Sequence, residues 1–442
     1  MTSSTSAPAE RPAFHDMTRV FARVGLLSFG GPAAQIALMH RMLVEERGWL
    51  SERRFLHALN YCMLLPGPEA MQLATYVGWL LHGIRGGLIA GLLFVLPGAI
   101  VITGLSILYL LLGEAPAVSG LLFGLKAAVL AIVAEALLRV SRRALNGSAM
   151  YAIAAVAFIG IALLKIPFPI IVLAAALAGA MVRAGGGATQ SEVEPVSSDA
   201  TPVWTRPSPR RLLATTTAWL APWLLPLVAL AAWFGGEHVL AEEARFFSVM
   251  AAVTFGGAYA VLAYVAQQAV EVYGWLRPDE MLTGLGLAET TPGPLILVLV
   301  FVGFHGAARQ VGIDPLLGGL AGAAVALWFT FVPCFLWIFA GAPYIERLRN
   351  VRWLAAALSG VTAAVVGVIA NLALWFGLHV LFRQTSEMPF GPFVLPAPEL
   401  GSFDWQAAAI ALGAGVALLW FHANLFAVLA LAMLAGIALA LF

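Results

Sequence analysis

Four short stretches of this 442-residue chain place glycine and proline in the middle of apolar segments. A Gly-Gly pair or a Pro-Gly-Pro triplet interrupts a helix, and the helix that restarts after it has unpaired N–H groups at the positive end of its dipole. Such an end binds an oxyanion without a buried cation. The predicted anion-contacting residues are Phe29, Gly30, Gly31, Pro32, Pro66, Gly67, Pro68, Phe255, Gly256, Gly257, Thr290, Thr291, Pro292, Gly293 and Pro294.

The repetition of these stretches favours binding over a purely structural role. An isolated Gly-Gly pair in a membrane helix more often serves only to let helices pack closely. Here a Pro-Gly-Pro follows the Gly-Gly pair twice, with 37 residues from Gly30 to Gly67 and from Gly256 to Gly293. The repeated spacing predicts one site that all four stretches form together.

Three ionisable residues lie inside apolar segments, where a charge is costly and often functional. Glu69 directly follows the first Pro-Gly-Pro, and Glu289 lies two residues before the second. We predict that both carry protons for coupling, although Glu69 at the start of a helix could equally serve to complement the helix dipole. Lys126 is predicted to contact the anion, or else to neutralise a carboxylate such as Glu69.

Composition places the chain among membrane proteins, with 61% hydrophobic residues, 11% charged residues and a mean hydropathy of +0.91. A net charge of +1 without a basic face argues against binding to nucleic acid. Cys62 and Cys334 lie in apolar segments without the spacing of a disulfide or zinc site. No hydrolase, metalloprotease or nucleotide-binding motif is present. The sequence therefore predicts a non-enzymatic protein with no catalytic residue, metal or cofactor, and with membrane lipid around it.

An internal duplication organises the chain. Residues 21–68 align without a gap on 247–294, with 16 identities in 48 positions. The predicted parts are a disordered cytoplasmic tail (1–16), a first repeat (17–183), a polar linker (184–211), an extra transmembrane helix (212–234) and a second repeat (245–442). The fold class is an all-α polytopic membrane protein with about six apolar segments in each repeat.

The number of segments predicts the orientation of the two repeats. Equivalent points lie an odd number of segments apart, so the second repeat enters from the opposite face, as in many transporters. Arginine-rich loops place the N-terminus in the cytoplasm, and the acidic stretch 237–244 is predicted as an outer loop. Residues 40–54 carry four arginines, yet simple alternation places them outside. Re-entrant hairpins at the glycine stretches remove this conflict, while kinked full spans remain the alternative.

The motifs together resemble a known family. LLSFGGPAAQIALMH, GWLSERRFLHALNYCMLLPGPEAMQLATYVGW, VTFGGAYAVL and LAETTPGPLILVLVFVGF are similar to the paired signatures of the chromate transporter family, in its long form with two homologous domains. The resemblance covers nearly the whole chain outside the tail and the linker. It implies an inner-membrane carrier that exports chromate, is coupled to the proton gradient and has its two halves in opposite orientation.

Other functions remain open at the level of sequence. Sulfate is a tetrahedral dianion like chromate, so the chain could carry sulfate or another inorganic anion, and a passive anion channel would also explain the duplication. The unequal positions of Glu69, Glu289 and Lys126 in the two repeats favour an active transporter. The sequence leaves open whether the chain acts as a homodimer.

Overall fold

The computed structural model describes residues 12–184, 207–255, 258–309, 314–344, 352–391 and 393–441. The predicted tail up to residue 11, most of the linker, and Gly256 and Gly257 lie outside the described residues. The helices of the N-terminal half are α1 (Phe14–Leu27), α2 (Gly31–His40), α3 (Glu52–Cys62), α4 (Glu69–Leu112), α5 (Pro116–Ala144), α6 (Ser148–Ala162) and α7 (Phe168–Ala184).

The C-terminal half follows a single long helix and has the same order of elements. This half contains α9 (Val239–Val253), α10 (Ala258–Ala266), α11 (Pro278–Thr290), α12 (Val298–Ala308), α13 (Pro315–Gly341), α14 (Arg352–Leu381), α15 (Trp405–Leu419) and α16 (Leu425–Leu441). The helix between the halves is α8 (Pro209–Phe234), where the sequence predicts an extra transmembrane helix. A π-helical turn extends α2 over Arg41–Glu45, and another extends α10 over Gln267–Val272. The two turns begin 226 positions apart, which is the offset between the aligned repeats.

The glycine and proline stretches are the places where helices stop. Gly30 and Gly31 have φ angles of 80° and 79°, a conformation that side chains disfavour, and they separate α1 from α2. Residues 63–68 separate α3 from α4 and include Gly67, whose φ is 115°. The helix breaks predicted at both motifs of the first repeat are therefore present.

Helix α4 turns back on itself within its length. His82 and Gly83 leave the helical conformation, so a first arm (69–81) and a second arm (84–112) run in opposite directions. The two arms touch closely, because a Cβ atom on Gly78 would overlap the backbone of Gly86 and one on Gly91 would overlap the Thr75 side chain. Helices α12 and α13 pack closely in the same way, with Gly303 against Gly322.

The two halves interlock through their long helices. Gly124 of α5 lies against Ala432 of α16, and Gly360 of α14 lies against the backbone of α7 near Gly179. Helices α5 and α14 are counterparts in the duplication, and each packs on the last helix of the other half. Glycines allow the two backbones to approach this closely, as they do at many helix contacts in membranes.

Length and composition identify a multi-pass membrane protein. Five helices in the described part of the chain are long and apolar enough to span a membrane: Glu69–Leu112, Pro116–Ala144, Pro209–Phe234, Pro315–Tyr344 and Trp353–Leu381. Four further predicted segments, at 148–164, 168–183, 404–421 and 423–442, form helices of only 15–17 residues.

Two features differ from the expectation of an all-helical chain with an acidic outer loop at 237–244. Strands β1 (Thr385–Phe390) and β2 (Phe393–Pro398) form an antiparallel hairpin after α14, closed by Gly391 at a φ of 61°. The acidic stretch is not a loop, because α9 begins at Val239 and its Glu243 is fully buried. The apolar residues of α9 bury this helix against its neighbours, and Glu243 is buried with them.

Candidate anion-binding site

The two halves are joined by a reciprocal pair of backbone hydrogen bonds at the predicted breaks. The Gly67 N–H donates to the Thr254 carbonyl (2.9 Å), and the Gly293 N–H donates to the Ser28 carbonyl (2.7 Å). The offset of 226 residues relates Gly67 to Gly293 and Ser28 to Thr254. The Pro-Gly-Pro of each half therefore contacts the region that immediately precedes the Gly-Gly pair of the other half.

The same symmetry extends to the helices behind these loops. A Cβ atom on Gly67 would lie 2.9 Å from the Cys334 sulfur on α13, while one on Gly293 would face Phe94 and Gly98 on the second arm of α4. Helix α10 also contacts the short 3₁₀ turn Leu295–Leu297 that follows the second Pro-Gly-Pro. The described parts of all four stretches thus belong to one connected cluster.

Unpaired backbone donors lie at the start of α2. Within the described residues, the N–H groups of Gly30, Gly31 and Ala33 have no hydrogen-bond acceptor, and no side chain caps the helix. The Ser28 hydroxyl donates to the Val24 carbonyl (2.6 Å) instead. A Cβ atom on Gly31 would meet nothing within 4 Å, so this glycine faces open space rather than a packed helix. Close packing therefore does not explain Gly31.

At the Pro-Gly-Pro stretches the available donors differ from those expected. Because the N–H groups of Gly67 and Gly293 bond to the opposite half, they are not free for an anion. The donors without an acceptor in the described structure lie just after the first triplet, at Ala70 and Met71 in the first turn of α4. The triplets hold the loops together, and the helix starts supply the N–H groups.

Two glutamines that the sequence reasoning missed bind the Pro-Gly-Pro stretches. The Gln35 side chain donates from Nε2 to the Gly293 carbonyl (2.7 Å), and Gln72 donates likewise to the Pro66 carbonyl (2.6 Å). Both side chains are buried, and both leave Oε1 without a partner in the described structure. The signal was present in the sequence, since each is the only amide in the first turns of a helix that follows a break.

The two predicted proton carriers occupy different surroundings. Glu69 is the first residue of α4 and is half-buried, beside the unpaired donors. Glu289 is buried near the end of α11 and accepts a hydrogen bond from the Tyr259 hydroxyl (2.8 Å). Tyr259 follows the second Gly-Gly pair, so this bond ties a carboxyl group directly to one of the breaks.

Lys126 is on α5, at some remove from the breaks. Its neighbours Gly124 and Leu125 contact Ala432 of α16 and Gly286 of α11. The described structure gives the Lys126 ammonium no hydrogen bond or ion pair, and thus no link to Glu69. On the same helix, Arg139 forms an ion pair with Glu135 one turn away.

The remaining predicted residues lie in the loops or at the adjoining helix ends. Pro66, Pro68, Pro292 and Pro294 are buried, and Pro32 is the second residue of α2. The hydroxyls of Thr290 and Thr291 donate to carbonyls three residues earlier, at 2.8 and 2.9 Å. Phe29 packs edge-on against Phe426 of α16 with ring centroids 5.4 Å apart, and Phe255 is half-buried.

The segment that connects α2 with α3 carries a cluster of charged side chains. His40 lies between Glu45 (3.1 Å) and Glu52 (2.5 Å), and the hydrogen bond with Glu52 raises the pKa of His40. Arg41 pairs with Glu46 at 3.6 Å. With Arg47, Arg53 and Arg54 this segment carries four arginines against three glutamates, a basic excess of the kind that attracts anions.

Comparison with known proteins adds the family. A family model described as chromate transporter matches residues 15–180 and 241–437. A probable chromate transport protein of Synechococcus elongatus is 29% identical over 391 residues, covering 86% of this chain and 89% of that protein. A chromate transport protein of Pseudomonas aeruginosa is 29% identical over 426 residues, covering 94% of each chain. One of Cupriavidus metallidurans is 28% identical over 354 residues, covering 80% of each. No solved structure matches the chain.

Proposed function

The chain belongs to the chromate transporter family, and on that premise we propose that it is a secondary transporter that exports chromate across the inner membrane. Its relatives from Cupriavidus metallidurans and Pseudomonas aeruginosa are named as chromate transport proteins. Proton entry drives the export, and the N-terminus lies in the cytoplasm. The anion binds at the breaks between helices.

The observation that carries this proposal is the start of α2. Backbone N–H groups without an acceptor in the described structure face open space at Gly31, beside a Pro-Gly-Pro loop held by the opposite half. Helix starts of this kind bind anions, and broken helices near the bilayer midplane bind substrates in many transporters. The second Pro-Gly-Pro touches Gly98, halfway along the second arm of α4. This contact supports a site near the centre of the membrane.

The reciprocal hydrogen bonds support a two-fold relation between the halves. The hydrogen bond that Gly67 donates to the second half has its equivalent in the one that Gly293 donates to the first half. Likewise, Gly124 packs on the last helix of the second half and Gly360 on the last helix of the first half. An axis in the membrane plane produces such contacts between repeats of opposite topology. Alternating access then follows if the two halves rock about the shared loops.

Uptake of radiolabelled chromate into inside-out membrane vesicles tests the function. We expect accumulation that rises when an imposed pH gradient makes the vesicle lumen acidic, and that is absent from vesicles lacking the protein. Sulfate is the matched substrate. Preference for sulfate would assign a different oxyanion. Chromate that equilibrates across the membrane but never accumulates against its own electrochemical gradient would indicate a passive channel.

Contacts of the first repeat support re-entrant hairpins at the glycine stretches. Tyr61 of α3 and Tyr76 of α4 have ring centroids 5.7 Å apart, whereas a straight helix would separate 15 residues by about 22 Å. Phe14 at the start of α1 touches His82 at the turn of α4, with ring centroids 5.3 Å apart. We therefore propose that residues 40–54 lie on the same face as the N-terminus.

Labelling of single cysteines tests this topology. In a chain with Cys62 and Cys334 replaced by alanine, Arg47→Cys and Arg54→Cys should react with a membrane-impermeant maleimide only from the cytoplasmic side. Full membrane spans predict the opposite, because one crossing would bring these positions to the periplasm. Pro207→Cys is the control for access from inside, because Pro207 is exposed and belongs to the linker expected in the cytoplasm.

A further inference from the structure

A fully buried glutamate without a partner lies apart from the candidate anion site. Glu243 is in the second turn of α9, is 0% exposed, and has no hydrogen-bond partner for either carboxyl oxygen within the described residues. A Cβ atom on Gly306 of α12 would lie 2.8 Å from Glu243 Oε1 and 3.2 Å from the Trp275 side chain. The carboxyl group is thus enclosed by α12 and by the segment that precedes α11.

No cation in the described part of the chain pairs with this carboxylate. Helix α13, which packs on α9, has no acidic or basic side chain, and His305 of α12 is turned toward Phe301, Phe304 and Tyr109. Arg309 is engaged by Glu280 and by the Trp275 carbonyl, and α8 contributes Trp223, which bonds Ser248. On α9 itself, Glu242 has the same sign of charge, and Arg245 is exposed. A buried carboxylate without a cation is strongly disfavoured, so burial favours the protonated form of this group.

The surroundings place Glu243 close to one aqueous face. It lies near the beginning of α9 and near the end of α12, beneath the part-exposed ion pair of Arg309 and Glu280. In the first repeat the positions equivalent to Glu243, Glu280 and Glu289 are Met17, Arg54 and Met63. These three acids therefore have no acidic counterpart in the first repeat.

We propose that Glu243 is a proton-binding site that exchanges its proton with the aqueous phase of this face during transport. The inference rests on the proposed function for its role in coupling, but the protonation of the group does not depend on the substrate. Because the site exists in one repeat, protons would load at one face of the carrier and not at the other, although the two halves are otherwise alike.

Two measurements on Glu243→Gln, with Glu242→Gln as the matched control, test the proposal. Glutamine keeps the size and neutrality of a protonated glutamate, so the variant should fold and reach normal abundance. In the infrared spectrum of purified protein at neutral pH, Glu243→Gln should lose intensity in the carbonyl band of protonated carboxyl groups, and Glu242→Gln should not. An unchanged band would overturn the proposal, whatever the protein transports.

The second measurement addresses coupling. In vesicles, Glu243→Gln should lose the acceleration of chromate transport by a pH gradient and its dependence on pH, while chromate–chromate exchange continues at the wild-type rate. Equal losses in exchange and in gradient-driven transport would overturn the coupling role, because they would indicate a structural group. If the wild-type protein carries no chromate, the proposed function fails, and the infrared result still decides whether Glu243 is protonated.

Discussion

Replacement of Gly31 by alanine is expected to abolish most anion transport while the protein still folds. The φ of Gly31 is 79°, and this left-handed conformation costs an alanine residue about 1–2 kcal/mol. The loss or displacement of one hydrogen bond to an anion costs about 1.5–3 kcal/mol more. Together these effects amount to about 2.5–5 kcal/mol and should weaken anion binding roughly fiftyfold to a few thousandfold, measured as the chromate concentration that gives half-maximal uptake.

The structure supplies a sharp control for this variant. Gly104, on the second arm of α4, also has nothing within 4 Å of a Cβ position, but it is an ordinary helical residue. Gly104→Ala should therefore leave uptake unchanged and should not lower thermal stability in detergent. Gly91 would be a poor control, because a Cβ there would overlap Thr75 and Phe335. If Gly31→Ala loses uptake only in proportion to folded protein, the glycine has a structural role.

Replacement of Glu289 by glutamine is expected to remove the response to a pH gradient. Glu289 is buried, accepts its hydrogen bond from Tyr259 and thereby links α11 to the second break. An ionisable group in such a place is usually part of a proton or substrate pathway. Glutamine preserves the shape and can still accept from Tyr259, so Glu289→Gln should transport chromate at one rate with and without the gradient.

Two further variants locate this effect. Tyr259→Phe removes the donor but keeps the carboxyl group, so the pH dependence of transport should shift rather than disappear. Glu135→Gln removes a carboxylate that pairs with Arg139 on the surface of α5, and it should change neither rate. Retention of a full pH response in Glu289→Gln would exclude this residue from coupling.

Much of the framework was predictable because helix breaks have a local cause. Gly-Gly and Pro-Gly-Pro end helices by themselves, so the ends of α1 and α3 could be read from the sequence. The offset of 226 residues likewise predicted which elements would correspond. Neither depends on contacts between distant residues.

The details of the site could not be predicted, because they depend on which groups meet across the two halves. Gly67 and Gly293 each donate their N–H to the opposite repeat. The N–H groups without an acceptor in the described structure therefore lie in the first turn of the following helix, and not in the Pro-Gly-Pro itself. Gln35 reaches Gly293 across 258 positions of sequence. Glu243 was predicted in a loop because the second repeat was expected to begin at residue 245, yet the apolar residues around it bury that turn of α9.

The position of bound chromate tests the central claim most directly. Chromium scatters X-rays anomalously, so a crystal of the protein with chromate gives the location of the metal without reference to a fitted anion. We predict a single strong peak at the start of α2, with chromate oxygens at hydrogen-bond distance from the backbone nitrogens of Gly31 and Ala33. A peak only among the arginines of residues 41–54, with none between the two halves, would contradict the account.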